Sequence, residues 1–419
     1  MCKAKVSGHK TYYISSSAGD DENDGLCPET PFRSLRRASE LLLQPGESLL
    51  FKSGDVWTGE SLYPKGSGTE KLPITVSSYG EGKRPRIAPG IGKKIYGIRI
   101  VNADGYRVTN IEICDCYGGL VVWTENTYRH RYLWVENCFF HDITGKDTDF
   151  CCSVRKSMPP DLLYGTGVSI CGSDAYGGRN LFSDITITDC NFDRCDVGIE
   201  VIGRDHDETG RWIEHGHSKI TAEAFKNVNI RRCNVYRSYR TGGVMLYCIT
   251  GGVSEEVLVD QTGYRGVGMW WGVAAFQVAR VSDYLIRNCT FSNTVKGESP
   301  DGQGFDFEAD NHNVTVRNCK FLYNEGPAVL FYGDSWPGEN DGNVVEDCLM
   351  EGNNPSRYYG NVVIAVGKPM NRGIIRNCEI HLLNDSQDYS CGPIVFAASN
   401  RVYDTSGKLV CGKDHGGTA

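Results

Sequence analysis

A single all-β solenoid of stacked parallel coils is the fold class this sequence predicts, and three observations predict it. The first is a recurring cysteine context. IEIC, VENC, ITDC, IRRC, IRNC, VRNC, VEDC and IRNC end at Cys114, Cys138, Cys190, Cys233, Cys289, Cys319, Cys348 and Cys378, and several continue with an aromatic residue, as in NCFF, DCNF and NCKF. The last four cysteines stand 29 or 30 residues apart. The second is a set of strings with a two-residue period, each opened by a glycine or turn residue: GLVVWTEN, GVSICGSD, GIEVIGRD, GVMLYCIT, GFDFEADN, PAVLFYGD, NVVIAVGK and PIVFAASN. The third is the want of any helical period between them. Short strands at a fixed repeat with no helix between describe a parallel β-helix in which like residues stack into ladders. The handedness of β-crossovers makes it right-handed.

The elements follow in order. Residues 1–95 are expected to hold an N-terminal cap and the first coils, and residues 96–419 the β-helix with inserted loops, as one continuous domain. The cap is read from TPFRSLRRASELLL, residues 30–43. Thr30 is placed as its N-cap and Pro31 at its first position. Phe32, Leu35, Ala38 and Leu42 give a short apolar face that plugs the end of the stack. The coils carry two short strands each on this reading, with wider gaps marking inserted loops. The eight cysteines form an interior ladder of small apolar groups about one strand spacing apart, ~4.8 Å. They are expected to be free thiols, which implies a reducing compartment and a cytoplasmic location.

The stretch YYISSSAGDDENDG, followed by PGESLLFKSGDVWTGE and YPKGSGTEKLPITVSSYGEGKRPRI, resembles the N-terminal cap of the right-handed parallel β-helix proteins of the pectate-lyase-like superfamily. With the NCxF coils, the resemblance covers nearly the whole chain. It implies the fold and a carbohydrate-active role. The superfamily holds lyases, glycoside hydrolases, epimerases and phage tailspikes, so the reaction has to come from the site.

Composition narrows the partners. In 419 residues the chain has 50 glycines, 23% charged residues and a formal net charge of −8. An acidic total argues against nucleic acid and against an anionic membrane surface, both of which want a basic face. No segment approaches the length and apolarity of a membrane span.

The candidate site starts from GFDFEAD, residues 304–310. On a strand, Phe305, Phe307 and Ala309 face one side while Asp306, Glu308 and Asp310 face the other. Aligning the strings puts Asp306 and Glu308 on the outer face. Glu200, Met245 and Val329 then share the slot of Asp306, and Trp123, Tyr247 and Phe331 that of Glu308. Gln277, in the preceding coil, neighbours Glu308. Aromatic platforms around acids suit a sugar, whose C–H faces stack while its hydroxyls bond to carboxylates. A pair of carboxylates is also what glycoside hydrolysis needs. Asp306 and Glu308 are therefore the expected catalytic pair, with Glu308 as acid, Asp306 as base or nucleophile, and Asp301 or Asp310 as helper. No metal or other cofactor is expected.

Two loops flank this face. GRDHDETGRWIEHGHSK, residues 203–219, brings Arg204 and His206 toward substrate, and GVGMWWG, residues 266–272, brings Trp270 and Trp271. GDSWPGEN, residues 333–340, adds Asp334 and Trp336. The loop pair His215 and His217 reads as polar surface rather than as metal ligands. Two other functions compete. A lyase or epimerase would use Asp301, Asp306, Glu308 and Asp310 to hold Ca²⁺, with Lys368 or Arg280 as base. A tailspike-like module would bind glycan without cleaving it.

Overall fold

The structure, a computed structural model, describes residues 8–91, 95–124, 129–145, 165–173, 181–204, 224–239, 242–264, 272–297, 301–308, 310–332, 340–357, 360–366, 373–390, 395–397 and 399–410. Successive strands pair in parallel, coil upon coil, with a single antiparallel pair among the described residues, Arg401–Tyr403 with Leu409–Val410. Each coil contributes three strands, not two. One coil runs Gln303–Phe307, Thr315–Arg317, Lys320–Leu322, and the next stacks Val329–Phe331, Val344–Glu346 and Leu349–Glu351 onto it. The strand missed from the sequence is the third, three to five residues long and following the corner that the ladder cysteine marks. In two coils the first two strands run together as Gly242–Glu255 and Ala274–Arg287.

The cysteine ladder has a backbone cause. The residue before each ladder cysteine turns a corner in the left-handed region: φ is 51° at Asn137, 55° at Asp189, 57° at Asn288 and 54° at Asn377. Asn and Asp tolerate that conformation best among non-glycine residues, which explains the recurring NC and DC pairs. The corner aims the next side chain inward. Cys138, Cys190, Cys233, Cys289, Cys319, Cys348 and Cys378 are all buried. Cys114 is not in the ladder. Ile111, which follows the left-handed Asn110, holds that slot, and Phe139 N donates to its carbonyl. Val257 fills the slot between Cys233 and Cys289. Every described cysteine is a free thiol. Ladder thiols donate to backbone carbonyls, as Cys138 does to Glu136 O at 3.3 Å.

Aromatic columns fill the rest of the interior. Phe276 stacks on Phe305 at 5.5 Å and Phe307 on Phe331 at 4.5 Å. The glycines that open the strand strings keep this packing possible. A Cβ at Gly167 would meet Gly198 O at 2.7 Å and the Phe192 ring at 2.6 Å.

The cap corrects the sequence reading. Its helix spans six residues, Leu35–Glu40, with Ser34 and not Thr30 as N-cap, its side chain accepting from Arg37 N. Phe32 stays extended because it bridges to Ile14 beside the first strand. Leu35 and Ala38 are buried, whereas Leu42 is 70% exposed and Leu43 takes its place inside. No helix among the described residues is long and apolar enough to cross a membrane.

Candidate active site

The outer face of the first strand series carries one residue per coil in strict register: Ser169, Glu200, Met245, Gln277, Asp306, Leu330. Phe305 and Phe307 point into the core, so Asp306 faces away from it, as the period of the strand requires. It is nonetheless only 2% exposed. Gln303 Nε2 donates to Asp306 Oδ2 at 3.0 Å, and Gln277 Nε2 reaches the same oxygen at 3.4 Å. Gln277 also donates to Glu308 Oε1 at 2.9 Å, so one amide ties the two acids together. Glu308 lies just past the strand and is partly exposed. Asp306 Oδ1, Glu308 Oε2 and Gln303 Oε1 are buried oxygens with no hydrogen-bond partner among the described residues. Buried polar atoms are almost always paired, and such a cluster is a place where ligand donors fit.

The electrostatics separate the acids. Burial pushes the Asp306 carboxyl well above its ordinary value, and the charges of Glu308 and Asp301 push it further. Burial first, then the charge on Asp301, lifts Glu308 to about 7. The hydrogen bond from Gln277 opposes both shifts without cancelling them. The charge of Asp301 is a cause of both shifts. Asp301 is 8% exposed and packs so closely on Gly272 that a Cβ there would fall 1.4 Å from its Oδ2.

Three expected neighbours move. Asp310 turns the corner with φ 58°, accepts from His312 Nε2 at 3.0 Å and lies 3.9 Å from Arg280. The left-handed corner breaks the strand's alternation, so the three-acid face is built from Asp301 rather than Asp310. Phe331 pairs with Phe307 and faces the core, not Glu308. The sequence alignment of that coil was one residue out, because Leu330, not Val329, pairs with Asp306. Tyr332, whose N–H donates to Phe307 O, follows Phe331 on the chain and was missed. The alternation of VLFY alone gives no sign of which parity is inward. Tyr247 pairs with Ala279, and the small alanine stands in the coil between it and Glu308. Glu200 shares the row of Asp306 but lies three strands away, ~14 Å, fully buried and accepting from Ser169 Oγ at 2.9 Å.

The wall loops fall mostly outside the described residues: His206, Trp270, Trp271, Asp334 and Trp336 do, as do His215, His217 and Lys368, and of Arg204 only the backbone is described. Among the described residues, no three of the acids Asp301, Asp306, Glu308 and Asp310 bring carboxylate oxygens within 4.8 Å of one another, whereas Glu112, Cys114 and His141 on the other sheet gather one donor atom each.

The family described as right handed beta helix region matches residues 218–405. The chain is a right-handed parallel β-helix. The same β-helix underlies the solved structure of a GH136 lacto-N-biosidase from Eubacterium ramulus, with a TM-score of 0.68 at 17% identity over 94% of this chain and 67% of that one. An alginate lyase from Paenibacillus sp. aligns at a TM-score of 0.51 and 11% identity, over 92% of this chain and 99% of that one. At such identities both share the fold alone. In sequence, 79 residues are 37% identical to a lacto-N-biosidase from Bifidobacterium longum subsp. longum, which is 18% of this β-helix and 5% of that protein. The chain thus matches about one twentieth of that relative's length.

Proposed function

We propose that this β-helix is a glycoside hydrolase acting on a neutral oligosaccharide, with Glu308 as proton donor and Asp301 as its charged partner. The observation that carries this is the split among three crowded carboxyls. Glu308, partly exposed, stays protonated to about pH 7 because it is buried next to the charge of Asp301. Pairs of acids whose surroundings push their pKa values apart divide into acid and base. Glu308 donates its proton to the leaving glycosidic oxygen, while Asp301 supplies negative charge at the anomeric centre. Asp306 departs from its expected role as base. Sealed from solvent, it anchors Gln303 and Gln277, and Gln277 in turn orients Glu308. The local likeness to a lacto-N-biosidase supports a hydrolase. It also makes an oligosaccharide ending in a lacto-N-biose unit the first substrate to try.

The test is release of reducing sugar by wild type and three variants. Asp301→Asn and Glu308→Gln lower kcat by ~10²–10⁴-fold, and Asp306→Asn, a near-isosteric change at a carboxyl sealed from solvent, costs about tenfold at most. Should Asp306→Asn match Glu308→Gln while Asp301→Asn keeps its turnover, the roles of the two aspartates are reversed. An unsaturated, ultraviolet-absorbing end formed together with the new reducing end would mean a lyase.

A further inference from the structure

We propose that Glu112, Cys114 and His141, on the outer face of the other sheet, form a site for a transition metal ion such as Zn²⁺. Glu112 and Cys114 are two apart on the strand Glu112–Cys116, and so share a face. Cys114 pairs directly with His141 on the next strand, Phe139–Ile143. One donor atom from each, an oxygen, a sulfur and a ring nitrogen, all lie within 4.8 Å of one another. Nitrogen, sulfur and oxygen donors together suit Zn²⁺, and three protein ligands leave one tetrahedral position to solvent.

The hydrogen bonds around His141 supply a second, independent argument. Its Nδ1 meets Asp142 Oδ2 at 2.7 Å and its Nε2 meets Glu112 Oε1 at 3.1 Å. A neutral imidazole has one N–H, so it can serve only one of two flanking carboxylates. With Nδ1 turned to Asp142, Nε2 points into the cluster beside Glu112 and Cys114. Asp142 is locked by Arg194, which donates to its two oxygens at 2.6 and 2.7 Å. A carboxylate held in this way fixes the ring with Nδ1–H engaged and Nε2 free to ligate, as in metal sites generally. The Cys114 thiol completes the ligand set. Two contacts compete with the ion: Arg86 Nε donates to Glu112 Oε1 at 2.5 Å, and the Cys114 thiol donates to Asp115 Oδ2 at 3.1 Å. Metal binding exchanges the thiol proton for a metal–sulfur bond. Glu112 Oε2 stays available while Oε1 keeps its arginine.

Cys114 is buried like the ladder thiols, so the cobalt signal is assigned to it by substitution. The chelator-treated full chain is titrated with Co²⁺, following the cobalt–thiolate charge-transfer absorption, and with Zn²⁺ by calorimetry. Wild type takes up one ion with that absorption. Cys114→Ser loses the absorption, and His141→Gln and Asp142→Asn each weaken Zn²⁺ binding by about 10–100-fold. A wild type without cobalt–thiolate absorption overturns the proposal. So does a Cys114→Ser protein that keeps the absorption. Should Cys114→Ser not fold, loss or persistence of binding in His141→Gln decides.

Discussion

The interior ladder and the outer row are built by the same coils at the same spacing, yet they behave oppositely along the stack. Inside, the residue after each left-handed corner is cysteine in seven coils, and aromatic rings stack on aromatic rings. Outside, the row reads Ser169, Glu200, Met245, Gln277, Asp306, Leu330, with a new chemistry at nearly every step. Packing imposes identity on the inner column, because each side chain is its neighbour's wall. Nothing imposes it on the outer row except what binds there. In a solenoid, the fold is written in what recurs and the site in what fails to recur.

The comparison breaks hardest from the inside. Phe305 stacks on Phe276 and meets Phe291 and Phe307. Phe305→Ala is expected to cost ~3–5 kcal/mol, read as a fall in the urea midpoint with an unchanged slope. A change of one atom in the ladder tells the same story more gently. Cys319→Ser buries a hydroxyl in a thiol's place and should cost ~1–3 kcal/mol. Thiol titration complements it: few groups react in the native chain, and many react on denaturation without reductant. A denatured chain that still hides its thiols would mean that the ladder is crosslinked.

The outer row answers in the other direction. Asp306 and Glu308 are both raised in the folded state, so the native chain holds protons that the unfolded chain releases. The stability these two groups contribute is then fully present below the unfolded carboxyl range of about 4 and is lost as pH rises through about 7. Asp306→Asn removes the buried acid, which should raise the thermal midpoint at pH 7. It should also flatten the dependence on pH. An Asp306→Asn protein less stable than wild type at pH 7 would show that Asp306 is held as a stabilising carboxylate instead.

Much of the fold was legible because recurrence survives loop insertions. The NC and DC pairs mark corners where the backbone needs φ > 0, and the following cysteine marks the inside. What recurrence could not show was the third strand. Three residues such as Lys320–Leu322 are too short to display a period of two. It misread Cys114 for the opposite reason. IEIC copies the local pattern of the ladder, but its corner lies at Asn110, three residues too early. The site was half legible. The parity of Asp306 and Glu308 followed from Phe305 and Phe307 pointing inward. The place of Asp301 did not follow, because it precedes the strand and comes beside Glu308 only through the fold of its loop. Nor did the corner at Asp310, which ends the alternation one residue before the sequence pattern does.

The most direct test of the account is the pH dependence of kcat/KM on a cleaved oligosaccharide. The proton on Glu308 should be lost near pH 7, so the wild-type rate should fall on the alkaline side of about 7. The residual activity of Asp301→Asn should fall from a lower pH, since the charge of Asp301 is what helps hold that proton in place. A rate that stays level well above pH 7, or an alkaline limb that Glu308→Gln leaves unmoved, would contradict the claim that Glu308 is the acid.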